Sequence, residues 1–228
     1  VKLSPKLVVF DVDGVLVDVH GSFHKSIVDT VRFFTGHRVT YAQIHEWKNR
    51  TGYNDDWRLS TDWVASLGKE VPYEKVKAQF QKFYWGTRSL PGNVSKEKWL
   101  VTQKLLGRWS KRAELSLFTG RTRRELNHTL KGTPAKRIFR RAVTMDDVKK
   151  GKPDPEGLLV LLNGAPARDA LYLGDNIDDA LSAKRAGVPF LGVLPHGSDA
   201  HSARAKNLRE LGAIDVLHSV RDLEKFWA

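Results

Sequence analysis

The stretch LVVFDVDGVLVD, residues 7–18, decides how this chain is to be read. Four apolar residues in a row, Leu7 to Phe10, have the pattern of a strand buried on both faces. The run then ends on Asp11 and Asp13, with Asp18 a little further on. Carboxylates set side by side at the edge of an oily interior repel one another and lose hydration. They need a cation, a shared proton or a chemical task. Asp11 and Asp13 share one face if the extended backbone persists, and Gly14 lets the chain turn close to a ligand. Asp18 lies beyond the turn and reads as a structural residue of the following loop.

Outward from this stretch the pattern changes. Residues 21–86 read as wholly helical, with helices over 22–35, 41–48 and about 55–67 and a fourth after Pro72 that stops at Gly86. Thr40 and Gln43 stand in capping-box register, and SLPGN at 89–93 reads as a linker. Strands and helices then alternate: ELSLF (114–118), a helix over 121–131, AVT (142–144), a helix after Asp154-Pro155, ALYLG (170–174), a helix to Gly187, and PFLGVL (189–194). Near-continuous apolar strands separated by helices predict a parallel sheet covered on both faces. The expected fold is therefore α/β, with a core over 1–16 and 88–228 and an inserted helical cap over 17–87. Short linkers near 15–21 and 86–92 are expected to serve as hinges.

Composition narrows the function classes. With 41% hydrophobic and 28% charged residues the chain suits a globular protein, and no apolar run approaches the roughly 20 residues that span a bilayer. No signal-peptide core is visible at the start, so no membrane association and a cytoplasmic location are expected. The absence of cysteine excludes disulfides, thiolate chemistry and Cys-type zinc sites. Thirty-eight basic residues against 26 acidic ones give a net charge of +12, which favours anionic ligands. The dense spots RTRR (121–124), KRIFRR (136–141) and KKGK (149–152) carry no nucleic-acid reader motif, so they read as solvated surface and no nucleic acid is expected as a partner.

In open parallel sheets, ligands bind beyond the carboxyl ends of the strands. Four such ends carry unusual residues here. DVDGV (11–15) is the first. In LFTGR (117–121), Thr119 follows a strand and Gly120 opens a helix N-terminus, a ready anion site. In KGKPDPE (150–156), Lys152 is mounted ahead of two stiffening prolines, able to point at an anion. In LYLGDNIDD (171–179), Asp175 and Asp179 lie four apart, able to face one another across a helical turn. Asp175, Asp178 and Asp179, three acids this close, repel by more than a helix dipole offsets, and a hard divalent cation with oxygen ligands would relieve them.

These motifs, FDVDGV, LFTGR, KGKPDP and YLGDNIDDALSAKRAG in that order, resemble the haloacid dehalogenase (HAD) superfamily of phosphotransferases. An insertion between the first two resembles the helical C1 cap of its type I, phosphoglycolate phosphatase-like members. The resemblance implies a Rossmann-like core and a set of roles. Asp11 would be the nucleophile that forms an aspartyl-phosphate, and Asp13 would be the general acid and base. Thr119 and Lys152 would hold the phosphoryl oxygens. Mg2+ would be held by Asp11, by the backbone carbonyl of Asp13 and by Asp175, with Asp179 standing behind or orienting Lys152.

The resemblance also bears on the reaction. Dehalogenases of the family lack a carboxylate where Asp13 stands, so hydrolysis of a small phosphorylated metabolite is expected. A sugar-phosphate phosphomutase is the first alternative, and a non-catalytic nucleic-acid binder on the same scaffold is a remoter one. Gly120 and Arg121 are expected near the substrate, although Arg121 also reads as a helix-surface residue. The loop NRTGYNDDWR (49–58) offers Arg50 as a contact for a carboxylate or hydroxyl, while Trp47, Trp57 and Trp63 read as packing between cap helices. A monomer or homodimer is expected.

Overall fold

Strand–helix alternation builds a six-stranded parallel sheet in the computed structural model, which describes residues 2–194 and 199–227. Its strands are β1 (Leu7–Phe10), β4 (Glu114–Phe118), β5 (Phe139–Val143), β6 (Ala170–Gly174), β7 (Phe190–Val193) and β8 (Asp215–Leu217), in the order β5-β4-β1-β6-β7-β8. Two further short strands, β2 (Val17–Asp18) and β3 (Lys98–Trp99), pair with each other as a separate ribbon. The sheet runs outward from β1 through β4 to β5, then resumes on the other side of β1 with β6. Strand order thus reverses at β1, the switch point where doubly wound sheets hold ligands.

Every residue of β1, β6 and β7 is buried, as expected of strands covered on both faces. Register is parallel throughout this centre: Phe10 pairs with Leu117 on one side and Leu173 on the other. Strands β1, β4 and β6 therefore end level. Val9, Phe118, Tyr172, Leu158, Leu161, Ala180 and Ala183 pack together on one face of the sheet.

Chain packing divides the molecule into Val1–Val17 with Trp99–Ala228, and Asp18–Lys98. The second unit keeps residues 88–98, which the sequence assigned to the core. The reason is local: Val94 is buried in it, and Asn93 Nδ2 donates to Ser26 Oγ and Asp29 Oδ2 at 3.2 and 3.3 Å. Its helices are α1 (Lys25–Thr35), α2 (Tyr41–Lys48), α3 (Asp56–Ser66) and α4 (Tyr73–Trp85). A π-helical turn, His20–His24, leads into α1, which stops at Gly36 in the left-handed region. The Thr40–Gln43 capping box opens α2, and Asp55 caps α3 by accepting from the Trp57 and Arg58 N–H groups. Trp57 and Trp63 are buried here, and the rings of Trp47 and Trp63 lie 5.8 Å apart.

In the sheet-bearing unit the remaining helices are α5 (Gln103–Trp109), α6 (Arg123–Leu130), α7 (Ala135–Ile138), α8 (Glu156–Leu162), α9 (Ile177–Ala186) and α10 (Asp199–Glu210). No helix among the described residues is long and apolar enough to cross a membrane.

Candidate active site

One more ladder bond carries β1 beyond Phe10: the Asp11 N–H donates to the Leu173 carbonyl at 2.8 Å. Asp11 therefore leaves the sheet at the switch point, buried. The chain then turns tightly, with Leu16 N–H donating to Val12 O and Gly14 N–H to Val17 O, both at 2.9 Å. Gly14 has φ 74°, and a Cβ on it would run into the Asp175 carboxylate. Glycine is required there for both conformation and space.

At the end of β4, Thr119 is buried and its N–H donates to Val143 O at 3.0 Å. Helix α6 begins only at Arg123, capped by Thr122 and Glu125, so Gly120 and Arg121 lie in the preceding loop rather than in its first turn. The Arg121 guanidinium is wholly buried and does not sit on a helix surface. Its Nε and Nη2 donate to Asp13 Oδ1 at 2.9 and 2.6 Å, and Nη1 donates to the Thr129 hydroxyl.

Lys152 enters from the loop between β5 and α8. Two bonds to α9 fix that loop: Ser182 Oγ donates to Asp154 O at 2.9 Å and Arg185 Nη1 to Pro153 O at 2.8 Å. The Lys152 Nζ donates to Asp11 Oδ1 at 2.8 Å and to Asp179 Oδ1 at 2.7 Å. Phe118 and Tyr172 flank the ammonium, with ring centres 4.9 and 5.6 Å away.

The fourth motif brings Asp175 and Asp179 together as its spacing suggested, but not within one helix. Asp175 lies outside α9, one residue before the N-cap Asn176, while Asp179 completes the capping box. Asp179 Oδ2 accepts from the backbone N–H groups of Asp175 and Asn176 at 3.1 and 3.2 Å. Its other oxygen accepts from Lys152 and, at 2.6 Å, from the Tyr172 hydroxyl. Four donors thus converge on one carboxylate.

Charge in this cluster is unbalanced. Burial pushes the Asp11 carboxyl well above its ordinary range, and the charges of Asp179, Asp13 and Asp175 push the same way. Lys152 opposes them but does not prevail. Burial works against the Lys152 ammonium too, yet Asp11 and Asp179 outweigh it and raise its pKa. Asp179, held by four donors, is the firmer counter-charge for the lysine. Asp11 is the carboxylate left short of positive charge.

A divalent cation answers that shortage. One oxygen each from Asp11, Asp175 and Asp179 lies within 4.8 Å of the others, an all-oxygen donor set suited to a hard ion. The cluster can therefore chelate a divalent cation. Asp179 accepts four hydrogen bonds, whereas Asp11 accepts one from Lys152.

Two contributors carried little signal in the sequence. Tyr172 sits inside an apolar strand, and only the rule that a buried phenol needs a partner could have flagged it. Arg204 of α10 donates to the Asp175 carbonyl at 2.8 Å from 29 residues away, with no local motif. Arg50 belongs to the helical unit, where its guanidinium lies over the Trp47 ring at 4.8 Å.

Comparison with known proteins agrees with this geometry. The chain is 31% identical over 222 residues to a Phytophthora nicotianae protein named imidazoleglycerol-phosphate dehydratase, covering 91% of this chain but 49% of that protein. It therefore spans about half the length of that relative. It is 27% identical to phosphoglycolate phosphatase 1 of Pseudomonas aeruginosa, over 91% of this chain and 78% of that protein. A solved structure, a predicted phosphoglycolate phosphatase from Haemophilus somnus, superposes with a TM-score of 0.76 at 19% identity, covering 97% of each chain. That likeness speaks for the fold alone. The acidic motif is consistent with phosphoric monoester hydrolysis. The family model for haloacid dehalogenase-like hydrolases matches residues 8–193, which include all four motifs, and the chain belongs to that family.

Proposed function

We propose that this protein is a Mg2+-dependent phosphatase that hydrolyses a small phosphomonoester through an aspartyl-phosphate on Asp11. One observation carries the reading: Asp11 is buried at a strand end, joined to Lys152, and still short of positive charge. A phosphoryl group is itself anionic, so attack by a carboxylate requires positive charge gathered around it. Mg2+ would be held by the carboxylates of Asp11 and Asp175 and the carbonyl of Asp13. When bound it neutralises charge on the phosphoryl oxygens.

The protein's own groups perform the rest. An Asp11 oxygen bonds to phosphorus while the P–O bond to the alcohol breaks, leaving its electron pair on the alcohol oxygen. Asp13 gives that oxygen a proton. Water then adds to phosphorus and passes a proton back to the Asp13 carboxylate. The bond between Asp11 and phosphorus breaks with its pair returning to Asp11, and phosphate leaves. Lys152 and the Thr119 hydroxyl hold the phosphoryl oxygens throughout. Asp179 keeps Lys152 aimed.

The names of several relatives, phosphoglycolate phosphatases among them, support a small carboxylated phosphomonoester as substrate. The lack of cysteine suits a reducing, cytoplasmic setting. The test is phosphate release from p-nitrophenyl phosphate and phosphoglycolate with Mg2+. Turnover should vanish with EDTA and in Asp11→Asn. An Asp11→Asn protein with full turnover would refute the assigned nucleophile.

A further inference from the structure

We propose that Arg121 is the positioning residue for the acid/base Asp13: it fixes one carboxylate oxygen so that the other faces the leaving group. The proposal rests on the phosphatase reading and adds a residue to it. The Arg121 guanidinium is fully buried, whereas the Asp13 side chain keeps 27% of its surface exposed. The arginine thus lies behind and the acid in front. Nε and Nη2 both reach the same oxygen, Oδ1, at 2.9 and 2.6 Å. Oδ2 is left as the oxygen able to exchange a proton forward.

Arg121 is itself held at every point. Its N–H donates to Thr119 Oγ1 at 3.2 Å, its carbonyl accepts from Met145 N–H at 3.1 Å, and Nη1 is bonded to Thr129. The Asp13 backbone is pinned as well, by a bridge to Val17. Burying a guanidinium far from water is expensive, and packing alone is served more cheaply by an apolar residue. What the charge and fork geometry add is direction: a proton donor works only when held within a fraction of an ångström of its line of transfer.

The role predicts a dependence on the leaving group. An alkyl alcohol must be protonated as it departs, while 2,4-dinitrophenolate leaves unaided. We compare kcat/KM, which reports the step that expels the leaving group, for phosphoglycolate and 2,4-dinitrophenyl phosphate. Arg121→Gln should lose about 100-fold on the alkyl ester, in the range of general-acid contributions, and only a few-fold on the dinitrophenyl ester. Arg121→Lys should recover part of the difference. If Arg121→Gln does not fold, Thr129→Val should show the same selective loss at about one tenth the size. Equal losses on both esters, or none, would overturn the positioning role. No turnover of either ester by the unaltered protein would instead overturn the phosphatase reading, and this proposal with it.

Discussion

Lys152 Nζ donates to Asp11 Oδ1 across 2.8 Å, joining residues 141 positions apart in the chain. The bond ties the end of β1 to the loop between β5 and α8 and involves two side chains that water scarcely touches. Removing one partner strands the other's charge, the circumstance in which a buried pair matters most.

Lys152→Met is therefore expected to lower turnover by at least about 100-fold. It should also reduce unfolding free energy by about 3 kcal/mol without metal, since Asp11 and Asp179 lose their shared cation. Urea denaturation with and without Mg2+ checks this. Added Mg2+ should restore part of the stability but none of the turnover.

Cation binding has its own signature. A cation held only by the folded state at 100 times its Kd adds about 2.7 kcal/mol, which at this chain length raises Tm by roughly 5–10 °C. Mg2+ should produce such a shift in the unaltered protein, followed by calorimetry. Asp175→Asn should abolish most of it while leaving the metal-free Tm close to normal, because Asp175 is partly exposed and precedes the helix it introduces.

Tyr172→Phe deletes one hydroxyl and nothing else. That hydroxyl donates to Asp179 at 2.6 Å inside the core, and burial followed by the Asp179 charge holds its pKa well above the ordinary value. Loss of the bond should destabilise by about 1–3 kcal/mol. Turnover should fall less than in Lys152→Met, since Lys152 keeps its own bonds to Asp11 and Asp179.

A fourth expectation concerns acid. Burial works against the Asp147 charge, but bonds from the Thr144 hydroxyl and N–H, with Arg123 beside them, win and hold its carboxyl below the usual range. A depressed folded pKa means that the unfolded chain binds the proton more readily. The contribution is therefore complete above the unfolded value of about 3.9 and is lost as pH falls through the folded one. Asp147→Ala should cost about 1 kcal/mol at neutral pH. Its urea midpoint should converge on that of the parent protein below about pH 4.

Much of this was legible in the sequence because the signals are local. Apolar runs mark β1, β4, β6 and β7, and Gly36, Gly86 and Gly187 close the helices the pattern proposed. The four motifs were readable because a parallel sheet delivers the ends of adjacent strands to one edge. What escaped is what depends on long-range packing. The direction of Arg121 is one example, since a residue after a Thr-Gly turn can face solvent or interior, and partners distant in sequence such as Asp13 turn it inward. Asp175 and Asp179 do meet as their spacing suggested, but Asn176 caps α9 and leaves Asp175 outside the helix, which the spacing alone does not announce. The edge of the helical unit moved to residue 98 because Asn93 bonds to a helix 64 and 67 positions earlier, which no periodicity announces.

Asp179 closes the first turn of α9 with the same side chain that anchors Lys152. Secondary structure and chemistry thus draw on a single carboxylate. A chain that has wound this helix has already fixed the lysine's counter-charge, so any partly folded form in which α9 frays should lose its reactivity before it loses its sheet.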